Sequence, residues 1–323
     1  MSVLIQIANK YHWELTGEPI RLHGGFMHTM YRIDTTRGTY ALKLLNPHVM
    51  QRETAMDNFA LAERLERLLE QADAPILPAL SFHGTKMQEI DGRYFYVFDY
   101  FPGRPLQQNE IRESHCAEMG KALAKIHGID RKYAPQIVSD MVIDWDRYLT
   151  QLRAVDARLY DLLNRALPVI RRSQQSGNRA RKNLPPTVAV CHNDMDCKNV
   201  LWQGDDYRII DLECLSHSNP FMELCETALC WSGYQHGQMD FQLFQAFLQG
   251  YKKAGGELPA DWETVYDSNI GRLEWLEYNI KRVLGIDCGA DEKEIGTQQA
   301  EETIEQILYY DRMKESIVAH CAV

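Results

Sequence analysis

The chain has 323 residues, with 35 Lys and Arg against 45 Asp and Glu, which gives a formal net charge of −10. This length accommodates about two domains or one bilobal unit. The hydrophobic fraction of 45% and the charged fraction of 25% are ordinary for a globular protein and exclude a disordered chain. The acidic balance argues against a nucleic-acid partner and is compatible with cationic ligands.

Three features of the sequence bear on the cellular compartment: its apolar runs, its N-terminus and its cysteines. No stretch approaches the roughly 20 apolar residues of a membrane helix. The N-terminus lacks a basic segment followed by a small-residue cleavage site. None of the 8 cysteines forms a C-x-x-C pair. We therefore expect a cytoplasmic protein with free thiols and no membrane partner.

The first hundred residues combine β-rich segments with one helix. Residues 19–45 contain two β-rich runs around Gly24 and Gly25, the second spanning 39–45. The apolar spacing of 56–70 predicts a helix. The aromatic run 93–100 predicts a strand. Two prolines and a glycine within 101–105 then mark a domain boundary, so we predict an N-lobe of residues 1–101 and a C-lobe of 102–323.

The remainder is predominantly helical. Helices are predicted over 111–127, over 144–170 and through most of 220–313. Residues 162–186 contain six basic residues and no acid, a pattern that we interpret as a solvated loop or helix end. Short apolar runs at 187–191 and 207–210 predict strands. Together these elements predict the α+β class.

Ionisable side chains concentrate after these two short strands. The segments are CHNDMDCKNVL at 191–201 and RIIDLE at 208–213. Carboxylates placed together need a counter-charge. Oxygen ligands from Asp, Asn and Glu suit Mg²⁺ better than Zn²⁺. The pattern therefore predicts a magnesium site.

These segments resemble a known family. HNDMDCKN matches the H-x-D-x-x-x-x-N catalytic loop of protein-kinase-like enzymes, and IIDLE occupies the place of their metal-binding D-F-G. The residues of the two motifs are similar to those of the aminoglycoside phosphotransferase and choline kinase branch. Upstream, Gly24-Gly25 resembles the phosphate loop, Lys43 the strand lysine, and 96–100 the hinge strand. The resemblance extends over roughly residues 18–285 and implies a bilobal protein-kinase-like fold, with a small β-rich N-lobe that binds nucleotide and a larger helical C-lobe.

The resemblance also implies roles for individual residues. Asp194 would be the catalytic residue that accepts the hydroxyl proton or orients the attacking oxygen, and Asn199 and Asp211 would hold Mg²⁺. His192 would fix the loop, and Glu213 would support the metal site. The implied ATP-binding residues are Lys43, Glu63, Gly24, Gly25, Ala41, Asp99, Phe101, Leu201 and Ile210.

Two features depart from the family pattern. The loop HGGFMHTMYRI is not G-x-G-x-x-G, so Gly24 and Gly25 fit a plain hairpin turn as well as a phosphate loop. The partner of Lys43 is either Glu53 or Glu63. We favour Glu63 because it lies in the middle of the predicted helix, as does the equivalent glutamate of protein kinases.

Four further residues are candidates for acceptor binding: Asp196, Glu274, Trp275 and Tyr278. Aromatic faces hold cations, and acids beside them would suit an aminated acceptor. The alternative is that the aromatic residues are core and the acids are ordinary surface charges.

The sequence thus predicts an ATP- and Mg²⁺-dependent kinase that phosphorylates a hydroxyl of a small, aminoglycoside-like acceptor. One alternative is a choline, ethanolamine or homoserine type of metabolite kinase. Others are a nucleotide-binding pseudokinase module and a metal-dependent hydrolase. A protein kinase is disfavoured because SHSNPFMELCE, which follows Glu213, contains no A-P-E-like activation segment.

Overall fold

The computed structural model describes residues 3–22, 28–134, 138–286 and 292–322. Its strands are β1 Ile20–Leu22, β2 Thr29–Thr35, β3 Gly38–Leu44, β4 Gln88–Ile90, β5 Arg93–Asp99, β6 Lys132–Tyr133, β7 Thr187–Cys191, β8 Val200–Gln203, β9 Asp206–Ile209 and β10 Ser216–Ser218. Its helices are α1 Val3–Lys10, α2 Pro47–Met50, α3 Ala55–Gln71, α4 Glu113–His127, α5 Trp145–Val155, α6 Ala157–Asn183, α7 Pro220–Trp231, α8 Phe241–Lys253, α9 Trp262–Ser268, α10 Gly271–Val283 and α11 Lys293–His320.

The chain divides into two compact units. The first unit comprises Met1–Ile111, Lys125–Asp130 and Val190–Ser218, and the second comprises Arg112–Ala124, Arg131–Ala189 and Asn219–Val323. The HNDMDCKN and IIDLE segments therefore belong to the same compact unit as Lys43. The lobe boundary after residue 101 stays a prediction, since compactness of contacts is a different criterion from a break in the sequence pattern.

A five-stranded antiparallel sheet forms the frame of the first unit, in the order β1-β2-β3-β5-β4. Side chains of a strand alternate between the two faces of a sheet. On one face Leu42, Phe95 and Val97 pack with helix α1. On the other, Tyr96 packs with Phe59 of helix α3. Lys43 lies opposite Tyr96 in the register and so shares the α3 face.

The first unit also contains a hairpin that frames the polar segments. Strands β8 and β9 pair antiparallel, with Val200 opposite Ile209. Isolated bridges join Ile76 to Ile209 and Arg104 to Trp202. The connector after β5 and the segment after α3 are thereby both hydrogen-bonded to the hairpin. These bonds fix the hairpin to the two segments that lead to and from the five-stranded sheet.

The second unit is helical. One of its core clusters is formed by apolar side chains of α5, α6, α10 and α11, among them Trp145, Leu163, Leu276 and Ile304. Within the described residues, no helix is long and apolar enough to cross a membrane. The seven described cysteines are free thiols.

Most predicted elements are confirmed, and one interpretation is wrong. The helix predicted at 56–70 is α3, the strand predicted at 93–100 is β5, and the run 187–191 is β7. Residues 162–186, interpreted as a loop or helix end, instead belong almost entirely to the 27-residue helix α6. Its basic side chains find acids on other elements: Arg171 pairs with Asp146, Arg172 with Asp311 and Lys182 with Asp140.

Helices α4 and α8 approach each other closely because each carries a glycine at the contact. A Cβ on Gly250 would lie 2.1 Å from the Ala117 carbonyl oxygen, and a Cβ on Gly120 would lie 2.1 Å from the Phe247 carbonyl oxygen. Backbone atoms cannot move aside as a flexible side chain can. Only glycine fits at these two positions without separating the helices.

We therefore expect Gly250→Ala to destabilise the protein by about 1–3 kcal/mol, the usual effect of overpacking in a dense interior. Urea unfolding followed by circular dichroism measures this change. Gly271→Ala is the matched control, because a Cβ at Gly271, the first residue of α10, meets nothing within 4 Å. Equal stabilities for the two variants would contradict the close helix contact.

Candidate functional site

Lys43 lies at the centre of the polar cluster in the first unit. Strand β3 directs its side chain to the α3 face, where it is only 8% exposed. Its Nζ lies 2.5 Å from Asp211 Oδ1 and 2.6 Å from Glu213 Oε2. Burial by itself lowers the pKa of Lys43, but the two carboxylates raise it above its ordinary value. The ammonium group is therefore charged and neutralises two neighbouring carboxylates.

His28 also holds Glu213. The imidazole is almost completely buried, and its Nδ1 accepts a hydrogen bond from the Asn46 peptide N–H at 3.0 Å. Because Nδ1 is the acceptor, the proton of the neutral ring lies on Nε2. That atom is 3.1 Å from Glu213 Oε2 and is positioned to donate to it. Glu213 is thus held from two sides, by a lysine and by a histidine whose tautomer the backbone fixes.

His192 joins the HNDMDCKN loop to the IIDLE segment. Its ring is fully buried, with Nε2 3.0 Å from the Ile210 carbonyl oxygen and Nδ1 accepting from the Asp194 peptide N–H at 3.2 Å. Next to it, Asn199 Nδ2 donates to both the carbonyl oxygen and Oδ2 of Asp194, each at 2.8 Å. Asn199 therefore orients the Asp194 carboxylate and leaves Oδ1 as its open oxygen.

Two residues of the cluster have left-handed backbone, with φ of +62° at Asn193 and +64° at Asp211. Asn and Asp tolerate this region better than other residues with a Cβ, but it still stores strain. Asn193 is restrained by its own side chain. Its amide donates to the carbonyl oxygens of Cys191 and Cys214, and its Oδ1 accepts from the Ser218 hydroxyl. Asn193 therefore ties the HNDMDCKN loop to the segment that follows Glu213.

The pKa of the Asp194 carboxylate is raised. Burial raises its pKa above the ordinary value, although the charge of Lys198 acts in the opposite direction. Lys198 Nζ lies 3.8 Å from Asp194 Oδ1, and its side chain is about half exposed. A carboxylate with a raised pKa is a stronger base, and the adjacent cation suits a site that handles negatively charged groups.

The oxygen donors of this cluster fit a hard divalent cation. Asp211 and Glu213 supply carboxylate oxygens that already share one cationic partner. Asn199 uses its Nδ2 to bind Asp194, so its Oδ1 is the atom available to a metal. Two carboxylates and one amide oxygen match the ligand preference of Mg²⁺, which usually retains waters and takes only a few protein ligands.

The residues assigned to the adenine site lie on neighbouring elements of the same unit. Ala41 is buried on β3 opposite Phe98, and Asp99 ends β5. Leu201 lies on β8, and Ile210 follows β9, with its peptide N–H bonded to the Asn199 carbonyl oxygen. In the part of the chain that the structure describes, no group accepts a hydrogen bond from the Phe101 peptide N–H.

The structure does not bring Glu63 to Lys43. Glu63 Oε1 instead accepts from the Met87 peptide N–H at 2.7 Å and from the Tyr96 hydroxyl at 3.2 Å. Glu53 is exposed ahead of α3. In this state the partners of Lys43 are Asp211 and Glu213, and the pairing of Lys43 with a helix glutamate stays a prediction.

The remaining predicted residues lie elsewhere. Asp196 caps the short turn Cys197–Asn199, its side chain accepting from the Lys198 peptide N–H. Glu274, Trp275 and Tyr278 lie on α10 in the second unit, where the two aromatic rings stack at 5.4 Å and are 43% and 48% exposed. They are therefore not core residues. Gly24 and Gly25 lie outside the described residues.

Sequence analysis missed three contributors: His28, Asn193 and Lys198. The residues 192–194 read H-N-D, and an asparagine between two functional residues is a signal for left-handed backbone that could have indicated Asn193. Lys198 lies four residues after Asp194, within reach in a turn. His28 carries no local signal, since its contact with Glu213 joins segments that are 185 positions apart in the chain.

The Glu213 carboxyl provides a pH test of the cluster. Burial alone would raise its pKa, but the hydrogen bond from His28 and the charge of Lys43 lower it from 4.5 to about 2. A group whose pKa is depressed on folding stabilises the protein above its unfolded pKa, and this contribution disappears as the pH falls toward the folded pKa. In metal-free buffer we expect Glu213→Gln to be less stable than the wild type by about 2 kcal/mol at pH 6, with the difference narrowing between about pH 5 and pH 3.

Urea unfolding at several pH values measures this narrowing. Glu53→Gln is the matched control, because the same change is made at an exposed acid. A difference between Glu213→Gln and wild type that stays constant from pH 6 to pH 3 would contradict the two-sided restraint of Glu213.

Comparisons with known proteins identify the family and the fold of this chain. A family model described as the phosphotransferase enzyme family matches residues 19–266. Among solved structures, a spectinomycin phosphotransferase in complex with ADP and spectinomycin superposes with a TM-score of 0.72 at 15% identity, over 96% of this chain and 98% of that chain. An amicoumacin kinase in complex with AMP-PNP and Ca²⁺ gives 0.61 at 14% identity, over 94% and 96% of the two chains.

A choline/ethanolamine kinase family protein from Mesorhizobium loti gives a TM-score of 0.57 at 19% identity, over 94% of this chain and 93% of that chain. At these identities the superpositions establish the fold, and they confirm the predicted α+β protein-kinase-like class. The family model spans well over half of the chain. The chain belongs to the phosphotransferase enzyme family.

Proposed function

We propose that this protein is a small-molecule kinase that transfers the γ-phosphoryl group of ATP to a hydroxyl of a small acceptor, with Mg²⁺ as cofactor. The observation that carries the proposal is the connected set Lys43, Asp211, Asn199 and Asp194. Lys43 pairs with Asp211, and Asn199 donates to Asp194. The two pairs are joined through the backbone, because the peptide N–H of Ile210, next to Asp211, donates to the Asn199 carbonyl oxygen. Phosphoryl transfer depends on positioning and charge stabilisation, and this set supplies both.

Asp194 is the group that accepts the proton of the acceptor hydroxyl. Asn199 fixes Oδ2, so Oδ1 is the oxygen that receives the proton. As the proton moves to Oδ1, the acceptor oxygen forms a bond to the γ-phosphorus and the bond between that phosphorus and the β–γ bridging oxygen breaks, releasing ADP. The raised pKa of Asp194 favours this proton transfer near neutral pH.

Asn199, Asp211 and Glu213 would hold Mg²⁺, which when bound neutralises charge on the nucleotide phosphates. Lys43 serves two purposes in this proposal. Without metal it neutralises Asp211 and Glu213, and with Mg-ATP present it pairs with the α- and β-phosphates. The Phe101 peptide N–H is the proposed hydrogen-bond donor to adenine, with Ala41, Leu201 and Ile210 as its apolar surroundings.

The acceptor is proposed to be cationic. The exposed stack of Trp275 and Tyr278 offers aromatic faces, and exposed Glu274 adjoins them on α10. Arg282 lies 5.6 Å from the Tyr278 ring and occupies part of this surface, so Trp275 is the more accessible face for a ligand cation. The ligands bound in the related structures, among them spectinomycin, guide the choice of acceptors to be tested.

The catalytic role of Asp194 predicts a separation of binding from turnover. Asp194→Asn keeps the hydrogen bond geometry but removes the base, so the turnover rate is expected to fall roughly 10²–10⁴-fold while Mg-ATP affinity stays within about threefold of wild type. ADP release over a panel of spectinomycin, choline, ethanolamine and homoserine measures turnover, and calorimetric titration of ATP with and without Mg²⁺ measures binding. Asp205→Asn, in the exposed turn of the β8–β9 hairpin, is the control.

Three outcomes would count against the assignment. Loss of ATP binding in Asp194→Asn would favour a metal-dependent hydrolase or a structural Asp194. Unchanged turnover in Lys43→Ala would remove the phosphate role of Lys43. ATP binding by the wild type without turnover of any acceptor on the panel would favour a nucleotide-binding pseudokinase module.

The contact between His28 and Glu213 predicts that replacing His28 lowers kcat/KM for Mg-ATP. His28→Leu removes the bond to Glu213, and the kcat/KM for Mg-ATP is expected to fall about 10- to 100-fold, as is typical when the support of a metal ligand is lost. His28→Gln offers both an acceptor for Asn46 and a donor for Glu213, so it should recover part of this loss. The apparent Mg²⁺ affinity, measured from the rate at fixed ATP, should weaken in His28→Leu and recover in His28→Gln. Equal behaviour of the two variants would mean that His28 only fills space.

A further inference from the structure

The second unit contains a cavity of about 300 Å³ that the proposed reaction does not use. Its wall is formed by the C-terminal half of α6, by α9 and the start of α10, and by α11. The lining side chains that matter here are Asn269, Arg272, Tyr266, Tyr310, Arg179 and Ile270. All of these belong to the second compact unit, so the cavity is defined within one body.

One buried hydrogen-bond donor in this wall lacks an acceptor. Asn269 is only 5% exposed, and its Nδ2 has no hydrogen-bond partner among the described residues. An unpaired buried amide costs about 1–3 kcal/mol, so it indicates a missing acceptor. The Arg272 guanidinium donates to the Asn269 carbonyl oxygen at 2.9 Å. Burial by itself would lower the pKa of Arg272, but the charge of Glu226 helps to raise it, so the group is cationic.

The acids of the same wall are already paired. Lys314 binds Glu263 and Asp267, both at 2.8 Å, and Asp311 binds Arg172. Each carboxylate lining the cavity therefore has a cationic partner. Once these pairs are set aside, the remaining nitrogen donors of the wall are Asn269, Arg272 and the exposed Arg179, beside the hydroxyls of Ser173 and Ser176. These donors and cations favour a ligand that carries negative charge and hydrogen-bond acceptor oxygens.

The cavity wall is also rigid. The rings of Tyr266 and Tyr310 stack at 3.8 Å, and each hydroxyl donates to the backbone carbonyl oxygen of the other residue. The Arg272 guanidinium lies 3.5 Å from the centre of the Tyr310 ring, which fixes its plane. A guanidinium held in this way can form two parallel hydrogen bonds with a carboxylate or phosphate. Preorganised donors lower the entropic cost of binding.

We propose that this cavity is a binding site for a small oxyanion, a carboxylate or phosphate group carried by a metabolite of modest size. Arg272 and Asn269 donate to the anion, and Ile270 together with Leu273 and Ile307 contacts the apolar part of the ligand. A volume of about 300 Å³ lies at the lower end of ligand pockets, which fits a compact metabolite. The site is separate in its residues from Lys43, Asp194 and the other groups of the proposed reaction.

The test uses the full chain and defined probes: inorganic phosphate, malonate and citrate, each compared with sodium chloride at equal ionic strength. Saturable binding is measured by calorimetry and by the shift in thermal unfolding. At least one probe is expected to bind, and Asn269→Asp is expected to weaken its binding tenfold or more. That variant has the same shape as the wild type, and its carboxylate both repels the anion and competes for Arg272.

Two controls separate this site from the proposed nucleotide site. Gln175→Glu adds the same charge on an exposed position of α6 and should leave probe binding unchanged. Lys43→Ala alters the proposed ATP site and should also leave it unchanged, so the anion site can fail or stand independently of the kinase proposal. If Asn269→Asp does not fold, Arg272→Lys, which keeps the charge but loses the paired donors, replaces it and should weaken binding.

Three results would overturn the proposal. They are the absence of saturable binding of every probe to the wild type, binding that is unchanged in Asn269→Asp, and binding that is lost in Lys43→Ala. A crystal soaked in the best probe provides a direct readout, with the anion expected within hydrogen-bonding distance of Arg272 and Asn269. Only water in the cavity of that crystal would also overturn it.

Discussion

The buried ammonium group of Lys43 is the interaction on which the polar cluster depends. Asp211 and Glu213 both approach it within 2.6 Å, and two carboxylates so close together would repel each other strongly without a cation between them. Removing one partner of a buried charge network leaves the others uncompensated, which usually costs several kcal/mol. In the proposed function Asp211 and Glu213 would hold Mg²⁺, which would supply a further counter-charge to them, and the contacts with Lys43 keep these two carboxylates together.

Much of this cluster could be predicted because its residues lie in short, ordered motifs. The spacing of His192, Asp194 and Asn199 within one loop is a local property of the sequence, and so is the position of Asp211 after a short strand. The contact between His28 and Glu213 depends on the sheet bringing β2 and the end of β9 onto one side of α3. That arrangement is decided by packing across the whole unit and leaves no trace in the residues around His28.

Helix α6 is a case in which the local sequence pattern indicated the wrong structure. Residues 162–186 have no acids, and their polar run with Gly177 resembles a solvated segment. Tertiary contacts overrule this preference: Gly177 gives Ile270 the room to pack against α6, since a Cβ there would lie 2.1 Å from the isoleucine side chain. Pairing of Arg172 with Asp311 adds a contact to α11. Helix propensity is a weak prior, and here the neighbours of the helix decide its length.

Charge balance explains why Lys43 does not pair with Glu63, although the sequence pattern favours that partner. Its position in the middle of α3 is the one expected, and the helix was predicted almost to the residue. Yet Oε1 of Glu63 already receives the Tyr96 hydroxyl and the Met87 peptide N–H, while Lys43 faces two acids with a shared need for a cation. Pairing Lys43 with Glu63 in this state would leave Asp211 and Glu213 to repel each other. The pairing of Lys43 with Asp211 and Glu213 is therefore the one that electrostatics favours, and Glu63 instead satisfies the Tyr96 hydroxyl and the Met87 peptide N–H.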